Sequence, residues 1–316
     1  MIIENKFQDL ILNASIKAAL SSYYLVGKKN KIAADKAAVD AMRSELNKID
    51  MVGKVVIGEG ELDEAPMLFI GEKLGSMKGG PILDIAVDPL EGTNFAANNL
   101  PGALSVIAIA GKSNLLHAPE TYMNKISAKV SENGVIDLDF SIKKNINNLS
   151  EYKNKNPNEL NVCLLDRPRH LKIIEELKKL KVNLKLISDG DISGALLVTE
   201  EKYGVDLFLG IGGGPEGVLA ASALDCYDCF FQGRFIFDNA NDISRAKEMG
   251  IDNLEKKYSL NEVIKGDSIF CATGITTGDL VSGIKIEEDN FISETLITHK
   301  SAGLRKVIKI KKKINE

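Results

Sequence analysis

The 316-residue sequence contains no tryptophan, only three histidines and only four cysteines. So few cysteines exclude a disulfide-stapled scaffold in a chain this long, and thiols in a reducing compartment are expected instead. Cys226 and Cys229 form one C-x-x-C pair. No second pair or histidine cluster accompanies it, so core cysteines are expected there rather than metal or redox chemistry. No apolar run approaches the roughly 20 residues a membrane-spanning helix needs. Residues 1–6 lack the basic opening and continuous apolar core of a signal peptide, and a cytoplasmic protein is expected. Broad positive charge is missing as well. Forty basic against 44 acidic side chains leave a formal charge of −4, which excludes a general field for nucleic acid or an anionic membrane. An anionic ligand must therefore meet locally placed cations.

What is present reads as an ordinary globular chain, 44% hydrophobic and 27% charged. Its length fits two domains at roughly 150 residues each. The opening 50 residues predict two helices: Phe7, Leu10, Ile11, Ala14 and Ala18 repeat on one face, and Val39, Met42, Leu46 and Ile49 form a second stripe after Gly27. Strands are predicted at 54–58, 82–87, 103–110 and 136–142, a short helix at 66–74, and a hairpin turn at 111–114. The Asn-, Lys- and Ser-rich segment 143–161 predicts a linker, dividing the chain into domains 1–145 and 146–316. Beyond it, apolar runs at 162–165, 184–187 and 205–209 alternate with helical patterns at 171–180, 192–199 and 217–224. That rhythm predicts an α/β unit with a parallel or mixed sheet. Residues 305–313 intersperse apolar and basic side chains, as a charged edge strand would.

Several acidic residues stand at the ends of predicted strands. Asp88-Pro89-Leu90-Glu91-Gly92-Thr93 follows an apolar strand and supplies two carboxylates and a hydroxyl together. Hard oxygens of this kind suit magnesium, although Asp, Pro and Gly also build plain turns. Glu59 sits between Gly58 and Gly60 directly after a strand, where a ligand could approach closely. Asp35 opens the second helix and is either a ligand or an N-cap. The run from Gly210 to Gly217 follows a strand and precedes a helix, so its amides could cradle a phosphate. It also contains G-x-G-x-x-G at Gly212, Gly214 and Gly217. Pro215 and Glu216 argue against a dinucleotide there, the first by lacking an amide and the second by its charge. Arg167-Pro168-Arg169 offers two guanidiniums at a helix start, fitted to phosphate or simply solvated. Asp189-Gly190-Asp191 could accept hydrogen bonds from sugar hydroxyls or turn the chain. No serine or cysteine stands in a triad arrangement with His117 or His170.

Taken together, the motifs at 56–67, 88–93 and 210–217 resemble class II fructose-1,6-bisphosphatase in order and spacing, over about residues 7 to 310. The resemblance implies the lithium-sensitive phosphatase superfamily and its layered α/β/α/β/α sandwich. The expected reaction is removal of the 1-phosphate of fructose 1,6-bisphosphate to give fructose 6-phosphate, a step of gluconeogenesis, with Mg2+ or Mn2+ as cofactor. By position, Asp35, Glu59, Asp88, Glu91 and Glu216 match the family's metal acids, with metal binding assigned to 1–145 and substrate binding to 146–316. Glu91, Gly92, Thr93, Tyr122, Arg167, Pro168, Arg169, Asp189, Gly190, Asp191 and Gly213 match its substrate contacts. Thr93, Glu59 and Asp88 are the expected catalytic groups. The expected partner is a small sugar bisphosphate, in a homo-oligomer, with no nucleic acid and no membrane. Sedoheptulose-1,7-bisphosphatase and inositol-phosphate phosphatase activities would use the same acids, and a non-catalytic nucleotide or sugar-phosphate sensor is the reading from another class. Two features depart from the pattern: Asn94-Phe95 stands where a basic residue is expected, and the chain is shortened between Arg234 and Ala246.

Overall fold

The computed structural model describes residues 1–58 and 67–314 and divides into two compact units. The first comprises Met1–His117 and Ile264–Glu316, the second Ala118–Val263. This differs from a boundary at 145/146 for a physical reason. The chain returns to the first unit with strands Ser268–Gly274, Asn290–His299 and Leu304–Lys313, which hydrogen-bond into a sheet begun near the N-terminus. A linear reading cannot show such a return.

Among the described residues the first unit holds an eight-stranded mixed sheet. Val52–Ile57 runs parallel to Ile82–Glu91, which pairs antiparallel with Leu104–Gly111, and that strand with Ser268–Gly274. Leu304–Lys313 pairs with Asn290–His299 and carries the basic residues predicted for an edge. Helices Lys6–Tyr23 and Lys31–Leu46 form as their apolar stripes predict: Phe7, Ile11, Ala14, Ala18, Val39, Met42 and Leu46 are fully buried in one core with the sheet. Burying each large apolar side chain contributes on the order of 1.5–3 kcal/mol. Leu10 is 38% exposed and lies off that stripe. Residues 67–72 are irregular and Lys73–Leu74 is a short strand against Gly53 and Lys54, where the sequence predicts a helix. The turn at 111–114 closes with Asn114 N–H donating to Gly111. Beyond it Leu115 makes only a single bridge, to Ile264, so no hairpin forms.

The second unit holds a six-stranded mixed sheet among the described residues, in the order Tyr258–Ser259, Phe230–Ile236, Tyr122–Ala128, Leu207–Gly213, Asn161–Leu165, Asn183–Ile187. The last three strands are parallel to one another, as the strand–helix rhythm predicts, while Tyr122–Ala128 is antiparallel to both its neighbours. Residues 142–153 form a helix where the sequence predicts the end of a strand and a linker. Its polar composition conceals Ile146 and Leu149, which are fully buried, and Ser141 caps it by accepting from Lys144 N–H at 3.2 Å. All four cysteines are buried thiols. No helix among the described residues is long and apolar enough to cross a membrane.

Candidate active site

The predicted site residues fall into two sets, one in each unit. In the first unit, Asp88 and Glu91 both lie on strand Ile82–Glu91. Asp88 pairs with Val106 and Glu91 with Leu104, so three steps along one strand match two along its neighbour. This is a β-bulge, at the segment containing Pro89, which has no N–H to give the ladder. Residues directly opposite in a sheet share a face, and so do residues two apart. Val106 and Leu104 therefore put Asp88 and Glu91 on one face, although an unbroken strand would place residues three apart on opposite faces. Glu91 is 4% exposed and Asp88 half-buried. Gly92 follows in a left-handed conformation at φ 75°, and a Cβ there would come within 2.8 Å of the Phe95 ring, so glycine is required twice over. Thr93 begins a short helix and is half-buried. The non-basic Asn94-Phe95 has a structural role: Phe95 is buried in the core beneath Gly92.

Asp35 is the fifth residue of helix Lys31–Leu46, and the cap of that helix is Asn30, whose side chain accepts from Ala33 N–H at 3.0 Å. Capping therefore does not account for Asp35. Glu59 lies outside the described residues. Among those described, no group of three His, Cys, Asp or Glu side chains is gathered closely enough to hold a metal alone. The donors that are described nonetheless fit the chemistry of a hard divalent ion, being carboxylates with two of them on one sheet face.

In the second unit, Arg169 lies over the Tyr122 ring, its guanidinium carbon 4.7 Å from the centroid, and its Nε donates to Ile211 O at 2.9 Å. The contact leaves most of its five donors for other partners. Arg167 lies 3.8 Å from Asp189, and both are half-exposed. Pro168 opens a single 3-10 turn through His170. Gly190, at φ 83°, precedes helix Asp191–Leu196. Asp191 is 8% exposed; one oxygen meets the Lys125 ammonium, and Oδ1 is buried without a hydrogen-bond partner. Lys125, missed in the sequence because its strand was unrecognised there, is 1% exposed and also donates to Gly213 O at 2.7 Å.

Around Gly213, two of the amides of the 210–217 turn already have partners inside the protein and a third position has no amide. Gly214 N–H donates to Thr121 O at 2.8 Å, Ile211 N–H to His170 Nε2 at 2.7 Å, and Pro215 has none. The Glu216 carboxylate packs where a Gly213 Cβ would lie, and the Asp191 carboxylate where a Gly212 Cβ would lie. These glycines therefore make room for the chain's own carboxylates. Burial raises the pKa of Glu216, with Lys125 opposing and Asp191 reinforcing the shift. His170 is fully buried; burial lowers its pKa, and its Nδ1–H donates to Leu165 O at 2.6 Å while Nε2 accepts from Ile211. That pattern requires the neutral ring.

One cluster elsewhere in the first unit has the composition of a nucleophilic triad. Ser301 Oγ and Asp267 Oδ2 both approach His299 Nε2 at 3.1 Å, while Gln8 occupies Nδ1 at 2.7 Å. A relay needs serine and acid on opposite ring nitrogens. Asp267 instead accepts from Ile3 N–H at 2.7 Å and ties down the N-terminal segment.

Comparison with known proteins matches residues 6–312 to the family model described as bacterial fructose-1,6-bisphosphatase, glpX-encoded. The chain belongs to this bacterial fructose-1,6-bisphosphatase family. Members similar to it include a "D-fructose 1,6-bisphosphatase class 2/sedoheptulose 1,7-bisphosphatase" of Prochlorococcus marinus (strain AS9601), 40% identical over 301 residues. A protein of the same description from Synechococcus elongatus is 38% identical over 311 residues, and in both cases the alignment covers 91% of this chain and 90% of the relative. An inositol monophosphatase from Anabaena is a more distant likeness among solved structures, with 14% identity, TM-score 0.32, and coverage of 61% of this chain and 71% of that one. For the bacterial fructose-1,6-bisphosphatase family, the bulge between Asp88 and Glu91 and the acid-filled glycine turn at Gly212–Gly213 are the local features this chain supplies.

Proposed function

We propose that this protein hydrolyses the 1-phosphate of fructose 1,6-bisphosphate with Mg2+ or Mn2+, and that sedoheptulose 1,7-bisphosphate is a second substrate, as the names of its relatives suggest. The observation that carries the reading is the bulge that turns Asp88 and Glu91 to one face, in a chain matched to this family along residues 6–312. Asp35, Glu59, Asp88, Glu91 and Glu216 would hold the divalent ions. Bound ions supply neutralisation of phosphate charge, activation of water and stabilisation of the leaving sugar oxygen.

The chain's own groups do the rest. The Thr93 hydroxyl orients the attacking water, and a neighbouring carboxylate takes its proton. Arg169, fixed by Tyr122 and Ile211 O, holds a substrate phosphate with Arg167. Asp189 and Asp191 accept hydrogen bonds from sugar hydroxyls. Phosphoryl transfer depends mainly on such positioning and electrostatic stabilisation. Phosphate release from a panel of sugar phosphates, with and without each metal, tests the proposal. Metal-dependent release from the two bisphosphates is expected, and equal release after exhaustive chelation, or none from fructose 1,6-bisphosphate, overturns it.

A further inference from the structure

Lys125 is among the largest fully enclosed side chains in the protein, and a charge in that position needs a reason. Its strand, Tyr122–Ala128, is central in the second unit's sheet, and the residues opposite it on both neighbouring strands are glycines, Gly210 and Gly233. Of the glycines nearby, Gly217 makes room for the lysine itself, since a Cβ there would meet the Lys125 stem at 3.1 Å, whereas Cβ atoms at Gly210 and Gly233 would meet His170 and Met123. The stem passes Gly217 to bring its ammonium to the start of helix Gly214–Leu224.

At its end the ammonium donates to one Asp191 oxygen and, at 2.7 Å, to Gly213 O. Asp191 opens the helix that follows Gly190, and its position is fixed from three directions. Lys125 takes one oxygen, the carboxylate rests where Gly212 has no Cβ, and the backbone enters through the left-handed Gly190. Only Oδ1 of Asp191 remains buried without a partner. An ion pair formed for stability alone leaves no reason for that orphan, because each unsatisfied buried acceptor costs about 1–3 kcal/mol. A substrate hydroxyl donating to Oδ1 would complete it.

We propose that Lys125 is a positioning residue for substrate recognition: its ammonium orients the Asp191 carboxylate so that Oδ1 faces the sugar, and through Gly213 O it holds the turn that carries Glu216. The inference rests on the proposed function, in which Asp191 lines the sugar site. It assigns Lys125 no contact with substrate and no part in proton transfer.

The test compares Lys125→Met, Asp191→Asn and the double variant with wild type, reading KM for fructose 1,6-bisphosphate and, by calorimetry, the Kd for its product fructose 6-phosphate. Lys125→Met is expected to raise both by about tenfold or more, the loss of one charge-assisted hydrogen bond. In the Asp191→Asn background the same change is expected to have little further effect, because its target is already gone. Unchanged KM and Kd in a Lys125→Met protein that merely melts earlier overturns the proposal, as do independent, additive effects of the two changes. Should Lys125→Met fail to fold because it strands a buried carboxylate, the double variant removes that charge and its comparison with Asp191→Asn decides. A double variant that is also unfolded assigns Lys125 to stability and overturns the positioning role. Wild type inactive on fructose 1,6-bisphosphate removes the functional reading itself, which an active wild type with an indifferent Lys125 does not.

Discussion

Asp88 and Glu91 are three residues apart on one strand yet face the same side of the sheet, because the extra residue between Val106 and Leu104 pairings shifts the alternation by one. Two carboxylates on one face of a single strand repel each other unless a cation intervenes. Asp88→Asn keeps the shape and removes one charge, so a turn-forming role would survive it. We expect kcat to fall on the order of a hundredfold or more, as for loss of a principal electrostatic stabiliser, and metal-free melting to stay level or rise. Turnover near wild type across a magnesium and manganese titration would defeat the ligand role.

Arg169 gives a second prediction. It is anchored by the Tyr122 face and by Ile211 O, so its exposed position is not that of a freely solvated helix start. Arg169→Ala is expected to raise KM for fructose 1,6-bisphosphate about tenfold or more, each charged hydrogen bond contributing roughly 1.5–3 kcal/mol. Tyr122→Leu, which removes the stacking surface but no charge, is expected to raise KM less. Unchanged kinetics in a folded Arg169→Ala protein would leave the arginine with no part in binding.

His170 makes stability depend on pH. The buried ring is neutral and its pKa lies below the ordinary imidazole value of about 6.5. The unfolded chain therefore takes up a proton at higher pH than the folded one. The stabilisation is fully present above about pH 6.5 and is lost as pH falls through that value toward the folded pKa. His117 shifts in the same direction, so wild type alone does not isolate the effect. His170→Gln removes one titration, and the difference in melting temperature between variant and wild type should narrow from pH 7.5 to pH 5.5. A difference independent of pH would show that His170 does not titrate in this range.

How much of the fold and site was legible in the chain depends on whether the signal was local. Phe7, Ile11, Ala14 and Ala18 mark their helix by spacing alone, and the core they enter is the one their stripe requires. Asp88 and Glu91 were recognisable as a pair from Asp88-Pro89-Leu90-Glu91, but not their common face, which depends on a register shift against a partner strand. Lys125 was hidden for a similar reason. A lysine interrupts the apolar pattern of Tyr122–Ala128, and the partners of its ammonium, Asp191 and Gly213 O, lie 66 and 88 residues further along, so only the folded unit brings them to it. The helix Ile142–Lys153 was masked by Asn and Lys on its exposed face, while Ile146 and Leu149 three apart held its buried one.

Gly213 allows Glu216, the acid proposed above as a metal ligand, to be moved without being removed. Its backbone, at φ −69° and ψ 146°, is extended and suits alanine, so Gly213→Ala introduces no backbone strain. The new methyl group would overlap the Glu216 carboxylate, which is the free end of a flexible side chain and can swing aside. Displacement of one acidic donor predicts a several-fold to tenfold rise in the magnesium or manganese concentration needed for half-maximal rate, roughly 1.4 kcal/mol per decade. At saturating metal kcat should largely recover, because the carboxylate is misplaced rather than lost. Glu216→Gln, which removes the charge, is not expected to recover. Measuring activity over a full metal titration for both variants separates the two effects. An unshifted titration in a folded Gly213→Ala protein would show that Glu216 needs no fixed position, and with it would fall the argument that the glycine is there to make room for a ligand.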